Sequence, residues 1–286
     1  MKALIISGGG SLGAWGGGVA QKLYQEGNKY DIIVGTSTGA LLSPLIAKGD
    51  FKTLKQAYTS MSQADIFEKN PFNKDGSINL LNAIWRMVTG KTTLGDSTNL
   101  RQSVGKYLTA DCFNRIKKSG IDVACCVYNV QKRQSEYKTA KSSCYSDYLD
   151  WITASATVPI AMTTIKKDGC DYVDGGVADH IPVRYLLDKN IIELDVIIHR
   201  TETYTETKAP KSIMSFFMKI IDAMQIEISR DDISQIESFC KFNGIKCRLF
   251  YLPRKLTTNS LLFDKQIMSD WWEMGVNGDY NMVKIG

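Results

Sequence analysis

The chain opens with two short apolar runs, each followed by glycines and a helical pattern. KALIIS (2–7) is a β-rich run ended by three glycines, and SLGAWGGGVAQKLYQEG (11–27) reads as a helix stopped at Gly27. YDIIV (30–34) repeats the strand pattern, and after GTSTG a helix runs to about Ala47. Strand, helix, strand, helix predicts a parallel α/β sheet.

From Asp50 to about Gly120 the pattern changes to helical pieces separated by polar turns such as NKDGS and TGKTTLGDSTN, a block expected to cover the sheet as a cap. IDVACCVYNV (121–130) restores a buried-strand pattern, with RQSEYKTA (133–140) as its antiparallel neighbour. A helix follows around SDYLDWITASAT, then short strands at TTIKK and CDYV, a helix near VRYLLDK and the strand LDVIIH. IMSFFMKIIDAMQIEI (213–228) reads as a long helix, with a strand at KCRLFYL and a helical C-terminal region after it. Its broad apolar face, with Phe216, Phe217, Ile220, Ile221 and Met224, is expected to be core, with a lipid-facing or gating role as the alternative. Trp85 and the Trp271-Trp272 pair are also expected to pack in the core.

Composition narrows the class. With 286 residues, 44% hydrophobic and 23% charged, the chain is an ordinary globular protein, expected to form one domain (1–286) with a helical cap over 50–120 and a C-terminal helical and strand extension over 200–286. A net charge of +5 is compatible with anionic lipid headgroups. The cations are scattered and no basic stripe emerges, so nucleic acid is not expected as a partner. Seven cysteines without a CxxC pair read as reduced, mostly buried thiols. MKALIISGGG turns to glycine too early for a signal peptide, and no apolar run reaches the roughly 18 residues of a membrane span. Cytoplasmic residence with transient membrane contact is the expectation, and the sequence leaves the oligomeric state open.

Two glycine patterns carry the chemistry. GGGSLG (8–13) fits G-x-G-x-x-G between a strand and a helix, but a dinucleotide site also needs an acid at the end of the second strand. That end holds Gly35, Thr36 and Ser37, while Asp31 precedes the strand. The loop is either a tight turn or a set of amides aimed at developing negative charge. GTSTG (35–39) is a G-x-S-x-G pattern, in which Gly35 and Gly39 permit a sharp turn and Ser37 either caps the next helix or acts as a nucleophile. Consecutive parallel strands place both loops at one sheet edge, which favours an oxyanion hole beside Ser37.

The base is the harder question, because the chain has two histidines. His199 ends the strand LDVII, and a triad through it remains formally open; His180 lies in the turn DGGVADHIP; both read more simply as structural. Asp174 ends a short β run, and Gly175 and Gly176 follow it. A carboxylate is a weak base at its ordinary pKa, but desolvation raises that pKa, so a serine-aspartate dyad is chemically sound.

GGGSLG, GTSTGA, ASATVP (154–159) and DGGVADHIP (174–182), in this order from Lys2 to about His199, resemble the patatin-like phospholipase family. The resemblance implies a three-layer α/β/α fold with a mainly parallel sheet and lipid acyl-ester hydrolysis by a serine-aspartate dyad. Carried over by position, Ser37 is the nucleophile, Asp174 the general base, and Gly8, Gly9, Gly10 and Gly13 the oxyanion loop, with Gly9 and Gly10 as the expected donors. The mechanism requires no metal or cofactor, and the substrate is expected to be a phospholipid or other acyl lipid. Two positions depart from the family pattern: Leu12, where the loop often carries Arg or Lys, and His180, where the aspartate motif often continues to Asn-x-Pro. The competing readings are an esterase or thioesterase using Ser37 with His199, a non-catalytic lipid-binding protein, and transfer of the acyl group to an acceptor other than water.

Overall fold

In the computed structural model, KALII forms β1 (Lys2–Ile6), whose alternation is buried on both sides. Leu4 and Ile6 enter one hydrophobic cluster and Ala3 and Ile5 enter the other, as expected for a strand covered by helices on both faces. The structure describes residues 1–73, 77–203, 209 and 213–286, excepting the side chains of 87, 213–215, 217 and 218. Residues 74–76 of the expected NKDGS turn and the Phe217 side chain therefore lie outside the described residues.

The other strands are β2 (Ile32–Thr36), β3 (Asp122–Asn129), β4 (Gln134–Thr139), β5 (Ile165–Lys167), β6 (Cys170–Asp174), β7 (Glu193–Thr201), β8 (Lys246–Leu252) and β9 (Asn281–Ile285). They join in the order β5-β6-β3-β2-β1-β7-β8-β9, with β4 also paired to β3. The run β3-β2-β1-β7-β8 is parallel, while β4, β5, β6 and β9 attach antiparallel. The chain leaves β1 for β2 on one side and returns much later to β7 on the other. In sheets with such a divergence, the usual ligand position is at the carboxyl ends of the central strands.

Helices α1 (Gly13–Gln25) and α2 (Thr38–Lys48) follow β1 and β2. Between β2 and β3 lie α3 (Phe51–Ser60), α4 (Gln63–Ile66), α5 (Leu80–Val88), α6 (Thr98–Tyr107) and α7 (Ala110–Lys118). Then come α8 (Tyr145–Ser155), α9 (Ile213–Asn243) and α10 (Lys265–Asn277). Trp15, Val19, Leu42, Ile46, Ile152 and Trp272 cover one face of the sheet. Ile181, Val183, Leu186, Ile236 and Cys240 cover the other, completing three layers with a mostly parallel centre.

Several elements differ from the pattern reading. VRYL (Val183–Leu186) is a 3-10 turn, since the chain must reach β7 within a few residues. The long helix does not stop near residue 228; α9 continues to Asn243, and its buried contacts come from the added half, through Ile236 and Cys240. Among the described side chains of its first half, Phe216, Ile220 and Met224 are 56, 45 and 61% exposed and Ile221 is half-buried, so the core expectation fails for these positions. The strand β9 extends the sheet after α10. Trp271 and Trp272 are buried as expected, but Trp85 is 51% exposed. All seven cysteines are free thiols, and five of them are buried.

Candidate active site

GTSTG turns sharply because two backbone segments come too close for any side chain. A Cβ on Gly35 would lie 2.2 Å from the Gly39 carbonyl carbon, and one on Gly39 would lie 2.1 Å from the Ile6 carbonyl oxygen. The residue between them takes the strain: Ser37 has φ 55° and ψ −123°, a region that L-residues rarely adopt. Its carbonyl accepts from the Ala40 amide at 2.9 Å and starts α2, which puts Ser37 at a helix N-terminus.

The strained turn is pinned from behind. The Ser37 amide donates to Ser155 Oγ at 3.0 Å, and the Ser155 hydroxyl donates to the Cys126 carbonyl of β3 at 2.6 Å. Ser155 is fully buried at the end of α8. ASATVP thus has a physical role that its letters alone did not reveal. Thr157, two residues on, accepts the Asp174 amide on its carbonyl at 2.9 Å.

Asp174 ends β6 opposite Val127 of β3, one residue beyond the Thr36-Cys126 pair that precedes Ser37. The two loops therefore rise from the same edge and meet over β3. Asp174 is 6% exposed, and its Oδ1 accepts from the Gly176 amide at 2.8 Å. Burial pushes its pKa up to about 6, opposed by side-chain hydrogen bonding from Ser37 and by the Gly176 amide. Such a carboxylate is a better base than an exposed aspartate and is still mostly ionised at neutral pH.

The glycine loop closes a third side. A Cβ on Gly8 would lie 3.3 Å from Ser37 Cβ, so the loop passes directly over the serine. The amides of Gly8, Ser11 and Leu12 are committed to the carbonyls of His180, Ser260 and Gly9 at 3.2, 2.8 and 3.2 Å. Gly9 and Gly10 stay the candidate donors to an oxyanion, and Gly8 is the fixed end of the loop. Gly10 has φ 56°, and Gly13 opens α1 against Thr38 and Tyr58. Leu12 is buried in the core, so no charge projects from this position.

The histidines sit on either side of this loop and do different things. His199 lies beneath it: Nδ1 contacts Ser7 Oγ at 3.2 Å and the Ser7 carbonyl at 3.0 Å, and its ring packs against Gly9 and Gly16. Burial drives its pKa down to about 4, so it is neutral at physiological pH. His180 is wedged between the two active loops, its ring reaching the positions that Cβ atoms of Gly8 and Gly176 would occupy. Neither ring nitrogen has a hydrogen-bond partner among the described residues, and burial, followed by the nearby Arg200 charge and the neighbouring His199 imidazole, pushes its pKa well below 6.5.

Behind His180 the aspartate loop is held by groups that the sequence reading missed. Asp179 receives the Tyr137 hydroxyl, and the Asp179 carbonyl accepts from Thr36 Oγ1 at 2.9 Å. Asp232 of α9 accepts the Ile181 amide at 2.9 Å. Burial raises both carboxyls, Asp232 to about 7 with a further contribution from Asp179. Nothing local in the sequence joins position 232 to the loop. Asp179 lay inside the aspartate motif without an assigned role. Among the described residues, no group of three or more His, Cys, Asp or Glu side chains is placed to hold a metal ion.

Comparison with known proteins bears on what this arrangement does. The family model described as patatin-like phospholipase matches residues 4–187, a span that includes both loops, Ser37, Asp174 and His180. The chain is 26% identical to uncharacterized protein YjjU of Escherichia coli over 64% of this chain and 47% of that protein. It is 27% identical to lysophospholipase NTE1 of Candida albicans over 68% of this chain and 13% of that protein. A probable lipid hydrolase, 463L of Invertebrate iridescent virus 6, is 23% identical over 72% of each chain. The match thus spans less than half of the first two relatives.

Proposed function

This chain belongs to the patatin-like phospholipase family, and on that premise we propose that it hydrolyses fatty-acyl esters of phospholipids with Ser37 as nucleophile and Asp174 as general base. The observation that carries this reading is the meeting of a strained Ser37 with a buried Asp174 whose pKa is raised to about 6. The Ser37 hydroxyl attacks the ester carbonyl while Asp174 takes its proton, and the Gly9 and Gly10 amides receive the oxyanion. Collapse of this intermediate breaks the ester bond, and protonated Asp174 returns the proton to the departing alcohol or lysolipid. Asp174 then draws a proton from water, which attacks the acyl-enzyme, releases the fatty acid and restores Ser37.

His199 is poorly suited to replace Asp174, because its Nδ1 is engaged with Ser7 and Nε2, the nitrogen a triad base would use, is packed against Gly16 of α1. Its role in this account is to support the loop that presents the oxyanion amides. Among the described residues, no helix is long and apolar enough to cross a membrane.

The substrate class is tested by incubating the protein with mixed phospholipid vesicles and analysing free fatty acid and lysolipid. Equal release of the two products supports phospholipid acyl hydrolysis. Turnover of a soluble thioester or short-chain ester, with no product from any vesicle, contradicts it.

A further inference from the structure

Helix α5 turns its apolar side away from the protein. Leu80, Leu81, Ile84, Trp85 and Val88 are 59, 82, 50, 51 and 82% exposed, and their spacing places them on one helical face. The inward side carries Ala83 and Arg86, both buried, with Arg86 Nε donating to the Thr93 carbonyl at 2.6 Å. Five adjoining large apolar side chains facing water form a contiguous patch of the kind that marks an interaction surface.

The charges around the patch identify what it fits. Residues 77–95, SINLLNAIWRMVTGKTTLG, contain no carboxylate, and the flanking carboxylates Glu68 and Asp96 are turned to Thr98 at the start of α6. The Lys69 ammonium lies over the Trp85 ring, 4.9 Å from its centroid, and Lys91 is exposed just past the helix end. An apolar face with a half-exposed tryptophan and a cationic edge matches an anionic lipid surface: side chains enter the acyl boundary, the indole rests at the headgroups, and ammonium groups meet phosphates. Two copies joined through this face would instead set these cations against one another, with the flanking Glu68 and Asp96 already engaged by Thr98.

The helix is also tied to the candidate site. Asn82 of α5 donates to the carbonyls of Asn70 and Leu94 at 3.4 and 3.3 Å. Leu94 and Gly95 in turn donate to the carbonyls of Ile160 and Ala161 at 2.7 and 3.1 Å. This is the segment whose Thr157 carbonyl holds the Asp174 amide. A surface that engages α5 is therefore connected to the rim of the site through the Asn82 side-chain amide and then backbone hydrogen bonds.

We propose that α5 is a membrane-docking helix that seats Leu80, Leu81, Ile84, Trp85 and Val88 in an anionic phospholipid surface, with Lys69 and Lys91 at the phosphates. Its preference for lipid over a protein partner rests on the lipid-hydrolase reading; binding itself does not require turnover. The test is co-sedimentation of the full chain carrying Ser37→Ala, so that vesicles stay intact, with phosphatidylcholine vesicles prepared with and without phosphatidylglycerol. Binding is expected to be stronger with phosphatidylglycerol and weakened by salt. Adding Leu81→Glu and Val88→Glu, at solvent-facing positions, is expected to lower partitioning by about tenfold or more. Trp85 should shift its emission to the blue on binding, a change absent in Trp85→Phe. Circular dichroism checks that each variant is folded. No binding to phosphatidylglycerol vesicles, unchanged binding of the folded Glu variant, or a dimer that the Glu variant dissociates without any vesicle binding would each overturn the proposal. Wild-type binding without fatty-acid release sinks the hydrolase reading and leaves docking standing; ester turnover without vesicle binding does the reverse.

Discussion

Ser155 holds Ser37 in place: its hydroxyl accepts the Ser37 amide at 3.0 Å while donating to the Cys126 carbonyl at 2.6 Å. A single buried hydroxyl thus fixes the strained turn to the sheet. Ser155→Ala removes both bonds and leaves the Ser37 amide without that acceptor, so stability should fall by ~1–3 kcal/mol in thermal or urea unfolding. Ester turnover by the folded variant should drop by roughly tenfold to a hundredfold, since misplacing a nucleophile slightly is costly. Wild-type stability and turnover together would show that Ser155 is not a support.

The pH dependence separates the two possible bases. Asp174 accepts a proton only when ionised, and its pKa is raised to about 6; His199 is depressed to about 4. With an uncharged soluble ester, kcat/KM should fall with unit slope below a midpoint near pH 6. A midpoint near 4 would point to His199.

Stability should show the cost of burying Asp174. Its pKa rises on folding from the ordinary 3.8 to about 6, so the stabilising contribution of the protonated form is complete below pH 3.8 and is lost as pH rises through 6. Asp174→Asn does not titrate. Unfolding at pH 8 should find it more stable than wild type by ~1–3 kcal/mol, with the difference closing below pH about 4. A less stable variant at pH 8 would mean that the ionised carboxylate is a net structural asset.

Close packing at the elbow predicts opposite outcomes for two glycines. A Cβ on Gly39 would lie 2.1 Å from the Ile6 carbonyl oxygen, whereas one on Gly105, within α6, has nothing closer than 3.8 Å. Gly39→Ala should lose roughly 2–4 kcal/mol or fail to accumulate as soluble protein. Gly105→Ala should gain about 0.5–1 kcal/mol by lowering the entropy of the unfolded chain. Equal melting temperatures for the two variants would contradict this assignment.

The central strands and the Ser37 and Asp174 loops were legible because each depends on local chemistry: apolar alternation, and glycines where backbone segments approach. What escaped was long-range. Ser155 reaches Ser37 across 118 residues, and Asp232 reaches Ile181 across 51, distances over which no spacing rule operates. Helix α5 shows a different limit. Its pattern marks an apolar face, but a pattern does not say whether the fold supplies a partner, and Trp85 stays half-exposed with the Lys69 ammonium over its ring. Phe216, Ile220 and Met224 of α9 show the same limit.

Fatty-acid release from one phospholipid preparation by wild type, Ser37→Ala, Asp174→Asn and His199→Gln, each checked for folding, tests the Ser37-Asp174 dyad most directly. The dyad predicts that Ser37→Ala and Asp174→Asn each lose about a thousandfold or more, while folded His199→Gln, which only supports the loop, loses about tenfold. Full activity in Asp174→Asn together with loss in His199→Gln would contradict it.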